Sequence, residues 1–165
     1  MGQLSWRFGS LQTKVSEDGK PKTGVAWDNI PTPKDKTLKT SSQAGERTEA
    51  KNEKGELVDA KQMPASEKIE FQLFVAKGEK IPFKDKRGIV GGEHTLRFIP
   101  DDPTCIGWQA DRVGITVLKS SDMETGILFH YEGTVYTDAK GDGIVYDVIK
   151  DAESAGASSP GSSIG

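Results

Sequence analysis

The sequence predicts a mainly β protein: an antiparallel β-sandwich or half-barrel with an extended polar hairpin arm and at most one short helix. The first observation is a high content of helix breakers, since the 165 residues include 19 glycines and 8 prolines. The second is that apolar and polar residues alternate with a period of two in several segments of the second half. The third is that polar runs typical of turns separate these segments.

The clearest predicted strand covers residues 69–75. Its odd-numbered residues are all apolar and share one face, whereas Glu70 and Gln72 lie on the opposite, polar face. Phe74 interrupts this polar face near the end of the strand. We therefore expect that end of the face to be covered.

The same pattern predicts four further strands, at residues 94–99, 113–118, 127–137 and 144–149. Polar turns join the last three, which therefore form a meander. Gly133 falls inside the third of these strands and predicts a bulge. A short strand is also predicted at 23–28. Three tryptophans lie outside the strong strands and are expected to act as core lids or interface anchors: Trp6, Trp27 and Trp108.

The first third of the chain is mostly polar and predicts an arm at about residues 31–62. Leu38 is the one large apolar residue between positions 31 and 45. Two polar segments, 46–51 and 56–61, then flank a turn that ends in Gly55, which predicts a hairpin. Because an exposed two-stranded ribbon is marginally stable by itself, we expect another subunit to order it. The predicted organisation is one β-domain over residues 1–150 and a flexible tail over 151–165.

The composition excludes several classes of protein. Twenty-two basic and 25 acidic residues give a net charge of -3, whereas a nucleic-acid-binding domain is expected to be strongly basic. No segment approaches the roughly 18 apolar residues that suggest a membrane-spanning helix. Cys105 is the single cysteine, so an intramolecular disulfide is excluded, and we expect it to be a buried, inert thiol.

No catalytic residue, metal site or cofactor is predicted. Residues 138–143 begin like a calcium-binding loop, but Lys140 occupies a position where an oxygen ligand belongs, so a turn is the better interpretation. Asp101 and Asp102 lie between two prolines and also predict a turn. His94 and His130 have no second ligand at a metal-binding spacing. We therefore expect that the protein is not an enzyme.

Four segments carry a resemblance to a known family: GERTEAKNEKGELVDA at 45–60, the strand 69–75, the turn at 100–103 and the stretch 111–136. Over about residues 45–149, they resemble major tail tube proteins of bacteroidete phages and prophages. The resemblance implies a β-sandwich or half-barrel whose copies close a ring, of six in such proteins, around a continuous inner β-barrel. It also implies that rings stack through an extended hairpin and the termini.

The resemblance further implies a virion protein of the tail that is assembled in the cytoplasm of the host bacterium. Its partners would be further copies of itself and other tail and connector proteins. DNA would pass through the tube without specific binding, and no membrane would be involved. The polar face with Glu70 and Gln72 would line either the lumen or the exterior. The arm would reach a neighbouring ring, and six of its charged residues would pair between subunits: Arg47, Glu49, Lys51, Glu53, Lys54 and Glu56.

Two alternatives stay open. A capsid decoration protein or a head–tail connector would share the β fold and the lack of catalytic groups. A small-ligand-binding β-barrel or an enzyme would need an internal cavity lined by apolar and a few polar groups.

Overall fold

The structure is a computed structural model that describes residues 9–149, apart from residues 35, 79, 103 and 125. Trp6 and the tail predicted at 151–165 lie outside the described residues. The described part contains strands and no helix, which confirms the predicted mainly β class. The strands, in chain order, are β1 (Gly9–Glu17), β2 (Lys20–Pro21), β3 (Asp28–Asn29), β4 (Lys39–Gln43), β5 (Arg47–Lys51), β6 (Leu57–Gln62), β7 (Ser66–Phe74), β8 (Asp85–Lys86), β9 (Ile89–Val90), β10 (His94–Pro100), β11 (Gly107–Asp122), β12 (Gly126–Val135) and β13 (Ile144–Asp147).

One curled antiparallel sheet contains all of these strands except β5 and β6. Its order is β2-β1-β10-β11-β12-β7-β4, and β13 and β9 also pair with β11. The 16-residue strand β11 organises the sheet, because its first part pairs with β10 and β13 and its second part with β12 and β9. This curl gives the half-barrel that the sequence predicts.

The core fills the concave side of the curled sheet. The alternating residues of β7, β12 and β11 point into it, as period two requires. Phe83, from the segment after β7, closes over this side and packs edge-on against the rings of His94 and Tyr131. The buried side chains that β7, β12 and β11 contribute include Ile69, Phe71, Leu73, Phe129, Tyr131, Val113, Ile115 and Val117.

β10 contains a buried arginine, Arg97, which pairs with Gln12 of β1. The side chain of Arg97 is fully buried, and its Nε donates a hydrogen bond to Oε1 of Gln12 at 3.0 Å. Its guanidinium carbon lies 3.8 Å from the ring centroid of Trp27, and Nζ of Lys14 lies 5.2 Å from the same ring. Trp27 therefore packs against two cations as a lid on this part of the sheet.

The polar first third differs from the prediction in two places. Residues 39–43, predicted as part of the arm, form β4 and pair with β7 at the sheet edge. An edge strand can be polar on both faces. The polar sequence of β4 therefore looks like that of a loop. The short strand predicted at 23–28 is limited to Asp28–Asn29, which pairs with β1.

The structure also corrects one prediction about a tryptophan and one about a glycine. Trp108 does not lie outside the strands, because it is a buried residue of β11 whose ring stacks on Phe98. Gly133 does not mark a bulge, because it pairs in continuous register with Ile115 on one side and Ile69 on the other. The glycine is needed instead for close packing, since a Cβ there would lie 2.7 Å from Cγ1 of Val113.

Within the described part of the chain, we find no helix whose length and hydrophobicity would let it cross a membrane.

Candidate functional site

The hairpin arm consists of β5 and β6 and forms a sheet of its own. The two strands pair with each other in antiparallel register, as the sequence predicts, and with no other strand of the described chain. Every residue of both strands is exposed. The arm therefore lacks the packed face that normally stabilises a two-stranded ribbon.

The tip of the arm, residues 52–58, has a defined conformation. Oδ1 of Asn52 accepts hydrogen bonds from the backbone N–H groups of Lys54 and Glu56 at 3.0 and 2.9 Å. Gly55 has a φ of 81°, the left-handed conformation that the sequence predicts for this glycine. The register shifts next to Lys51, and Leu57 and Val58 remain 52% and 67% exposed. The tip is thus an ordered turn that presents two apolar side chains.

The base of the arm is held by a close approach of its two chain segments. The backbone N–H of Met63 donates to the carbonyl of Glu46 at 2.9 Å, and the Gln62 amide donates to the carbonyl of Gly45 at 2.8 Å. A Cβ on Gly45 would lie 2.3 Å from the carbonyl oxygen of Met63. Only glycine allows the two segments to meet at this distance.

The six charged residues predicted on the arm are all exposed. Arg47 and Glu49 form an ion pair within β5, with Nε 2.8 Å from Oε1. The remaining four have no ion pair with any described residue of the chain: Lys51, Glu53, Lys54 and Glu56. Pairing of these residues between subunits stays a prediction.

We call the side of the sheet opposite the core the outer face. Glu70 and Gln72 of β7 both lie on it, as the alternation predicts. Glu70 is directly opposite Glu132 of β12, a like-charged pair that is unfavourable by itself. Nζ of Lys68 lies 3.4 Å from Oε1 of Glu70 and 3.1 Å from Oε1 of Glu132. Nζ of Lys39 lies 3.4 Å from Oε2 of Glu70. The two lysines therefore balance the two carboxylates.

The ionisation of this network follows from its geometry. Burial raises the pKa of the Glu70 carboxyl, but the hydrogen bonds from Lys68 and Lys39 outweigh it and bring the pKa below its usual value. The hydrogen bonds to Glu132 and Glu70 raise the pKa of Lys68. Glu70 and Lys68 are consequently both charged at neutral pH.

One trio on the outer face has the chemistry of metal ligands. Glu70, His130 and Glu132 place one ligand atom each within 4.8 Å of one another. Lys68 already bonds to both carboxylates, so a cation would have to displace its ammonium group. The arrangement is that of an ion-pair network, and the absence of a metal site stays a prediction.

A second feature of the outer face is apolar and was not recognised from the sequence. Phe74 is directly opposite Leu128, Leu118 is diagonal to Leu128 across β11 and β12, and Ile89 is diagonal to Leu118 across β9 and β11. These four residues form what we call the apolar stripe. Phe74, Leu118 and Ile89 are 46%, 71% and 66% exposed, so the described chain gives Phe74 only part of the cover expected.

The other residues considered for chemistry have structural roles. Oδ1 of Asp138 accepts from the backbone N–H groups of Lys140 and Asp142, and Oδ1 of Asp102 accepts from Thr104, so both loops are the predicted turns. Burial lowers the pKa of His94, partly offset by its hydrogen bond to the Gly91 carbonyl. Cys105 is only partly buried, because it lies in the turn that follows Asp102.

Two hollows of the described surface are small. One, of about 230 Å³, is an open depression beside Asp28, Asn29 and Lys80. The other, of about 10 Å³ beside Leu73 and Tyr131, has room for about one water molecule. Sites for small molecules usually have 300–1,000 Å³ and enclose the ligand, so neither hollow favours a ligand-binding barrel.

No family model matches the chain, and no curated protein is similar to it in sequence. Among solved structures, the chain is similar to the sheath/tube terminator of the PVC extracellular contractile injection system, determined by cryo-EM in the extended state. The two share 14% sequence identity with a TM-score of 0.49, and the match covers 89% of this chain and 97% of the other. A likeness of this size carries no argument about function.

Proposed function

We propose that this protein is a structural subunit of a phage-type tail tube, in which copies form rings that stack through the hairpin arm. The observation that carries the proposal is the arm, whose residues are all exposed and which pairs with no other strand of the described chain. A ribbon of two strands needs packing against a partner to be stable. The resemblance of residues 45–60 and 69–75 to major tail tube proteins supplies the class of assembly.

The edges of the main sheet support the same proposal. β4 is exposed at four of its five positions and ends the sheet on one side. Open edges promote pairing with another chain, and closing a ring removes them. A hexameric ring with DNA passing through its lumen is the arrangement proposed from the resemblance. In that ring the outer face with Glu70 and Gln72 lines either the lumen or the exterior.

The direct experiment is to measure the assembly state of the full-length protein at increasing concentration. We expect rings or tubes by negative-stain electron microscopy, and a matching rise in mass by light scattering coupled to size-exclusion chromatography. Monomers at every concentration would contradict the proposal.

A variant without the arm separates the tube from the alternatives. The hydrogen bond between Met63 and Glu46 brings the two ends of the arm together, so residues 47–62 can be replaced by Asn-Gly, a two-residue hairpin turn. A tube subunit should still form rings but lose stacking. A capsid decoration protein should instead lose capsid binding and form no tubes in either version. The exposed substitution Thr134→Ser, which leaves the arm intact, is the matched control.

A further inference from the structure

We propose that the apolar stripe of one copy receives the tip of the hairpin arm of a second copy. This inference rests on the proposed function and adds to it the surface that the arm recognises. The arm tip presents Leu57 and Val58, and the stripe presents Phe74, Leu118 and Ile89, all of them at least 46% exposed in the single chain. Joining the two surfaces removes apolar area from water on both.

The arm tip carries two carboxylates and one lysine, Lys54, whereas a lysine borders each end of the stripe. Lys34 borders one end of the stripe, with Nζ 5.6 Å from the ring centroid of Phe74, and Lys86 borders the other end, directly opposite Ile89. Glu53 and Glu56 belong to the arm tip. None of these four residues has an ion pair with another described residue of its own chain. Acidic groups at the tip can therefore meet basic groups beside the stripe without breaking an existing pair.

The position of the two surfaces favours contact between copies. The arm leaves the sheet at the start of β7, where Ser66 pairs with Gln43, whereas the stripe begins at Phe74, at the end of β7. The eight residue steps from Ser66 to Phe74 separate these ends by roughly 26 Å at about 3.3 Å per step. In copies stacked end to end, an arm that extends away from its own sheet would reach the stripe of the next copy. Such a contact joins two different surfaces, so it can repeat along an axis.

The test uses two variants that each lose one half of the contact. The first, Leu57→Ser with Val58→Ser, disables the arm and leaves the stripe intact. The second, Leu118→Asp, disables the stripe and leaves the arm intact. All three side chains are more than half exposed, so neither variant should unfold, and circular dichroism checks this. Ile89→Asp is a second stripe variant, and Thr134→Asp, on the outer face away from the stripe, is the control.

Each variant alone should need at least a tenfold higher protein concentration than the parent to form stacks. Rings of the two variants, assembled separately and then mixed in equal amounts, should pair through the intact arms of one ring and the intact stripes of the other, and these pairs cannot extend into stacks. Light scattering measures the mass of these complexes, and electron microscopy shows whether stacks form. Exchanging the charges, by Lys34→Glu and Lys86→Glu, should weaken stacking, and adding Glu53→Lys and Glu56→Lys should restore it.

The outcomes separate this inference from the proposed function. If Leu118→Asp and Ile89→Asp stack at the same concentration as the parent, the arm binds elsewhere, and the inference is wrong while the tube proposal stands. If the mixture forms no complex beyond those of the separate variants, the inference is likewise overturned. If the parent protein itself never assembles, the tube proposal fails, and the inference fails with it.

Discussion

At the scale of one residue, the lack of a side chain at Gly133 allows Val113 to pack closely beside it in the core. A Cβ at this position would lie 2.7 Å from Cγ1 of Val113, a fully buried side chain. We expect Gly133→Ala to lower the free energy of unfolding by about 1–3 kcal/mol, the usual cost of overpacking. Urea denaturation measures this change, and Thr134→Ala on the opposite face is the control. Removing the clash with Val113→Ala should make the double variant less destabilised than the sum of the two changes.

Tyr131 gives a second prediction at the scale of one residue. Burial, with a smaller effect of the Asp85 charge, raises the pKa of its hydroxyl to about 12. The unfolded chain would ionise this group near pH 10. Since the folded pKa lies above the unfolded one, the stability contribution is complete below about pH 10 and is lost as the pH rises toward 12. Tyr131→Phe should therefore lose stability less steeply than the parent over this range in denaturant titrations. Equal slopes would contradict the assignment.

At the scale of one element, the arm depends on the close approach at its base. Gly45→Ala would place a methyl group 2.3 Å from the carbonyl oxygen of Met63. We expect this variant to lose amide protection in residues 47–62 while the main sheet keeps its protection, as measured by hydrogen exchange. Ala44→Gly, at the exposed neighbouring position, is the matched control. Unchanged exchange in the arm would show that the base does not set its order.

The elements that the sequence predicts are those with large apolar residues at period two. This alternation predicts β7, β10, β12 and β13. It also predicts the part of β11 that begins at residue 113. The sequence of β1 has only Leu11 as a fully buried large apolar residue, and Thr13 fills another inward position, so its alternation is faint. β4 was predicted as part of the arm because an edge strand can be polar throughout.

The candidate site was predictable in part for the same reason. The hairpin arm and the polar face of β7 follow from local sequence alone. The apolar stripe does not, because Phe74, Leu118 and Ile89 become neighbours only through the pairing register of four strands. A search for apolar residues on otherwise polar strand faces would have found Phe74, Leu118 and Leu128 one by one, but not that they are neighbours.

At the scale of the whole molecule, the arm and the main sheet are expected to be independent in stability. The arm contributes no side chain to the buried core. Replacing residues 47–62 by Asn-Gly should therefore change the free energy of unfolding by no more than about 2 kcal/mol, from loop-closure entropy at about 0.6 kcal/mol for each halving of the connection. Chemical denaturation of the monomer at low concentration measures this. A loss of several kcal/mol would show that the arm supports the fold of its own chain.

The central position of β11 has a consequence for the order of folding during synthesis. β1 cannot pair with β10 until Pro100 has been synthesised, and β10 lacks its second neighbour until β11 is complete. The arm is different, because its strands are joined by a short turn and can pair as soon as residue 62 has left the ribosome. The two strands of the arm can thus begin to pair, as a marginally stable ribbon, while the sheet is still unformed. Because long-range strand pairing is slow, this interval is when the chain is most exposed to aggregation.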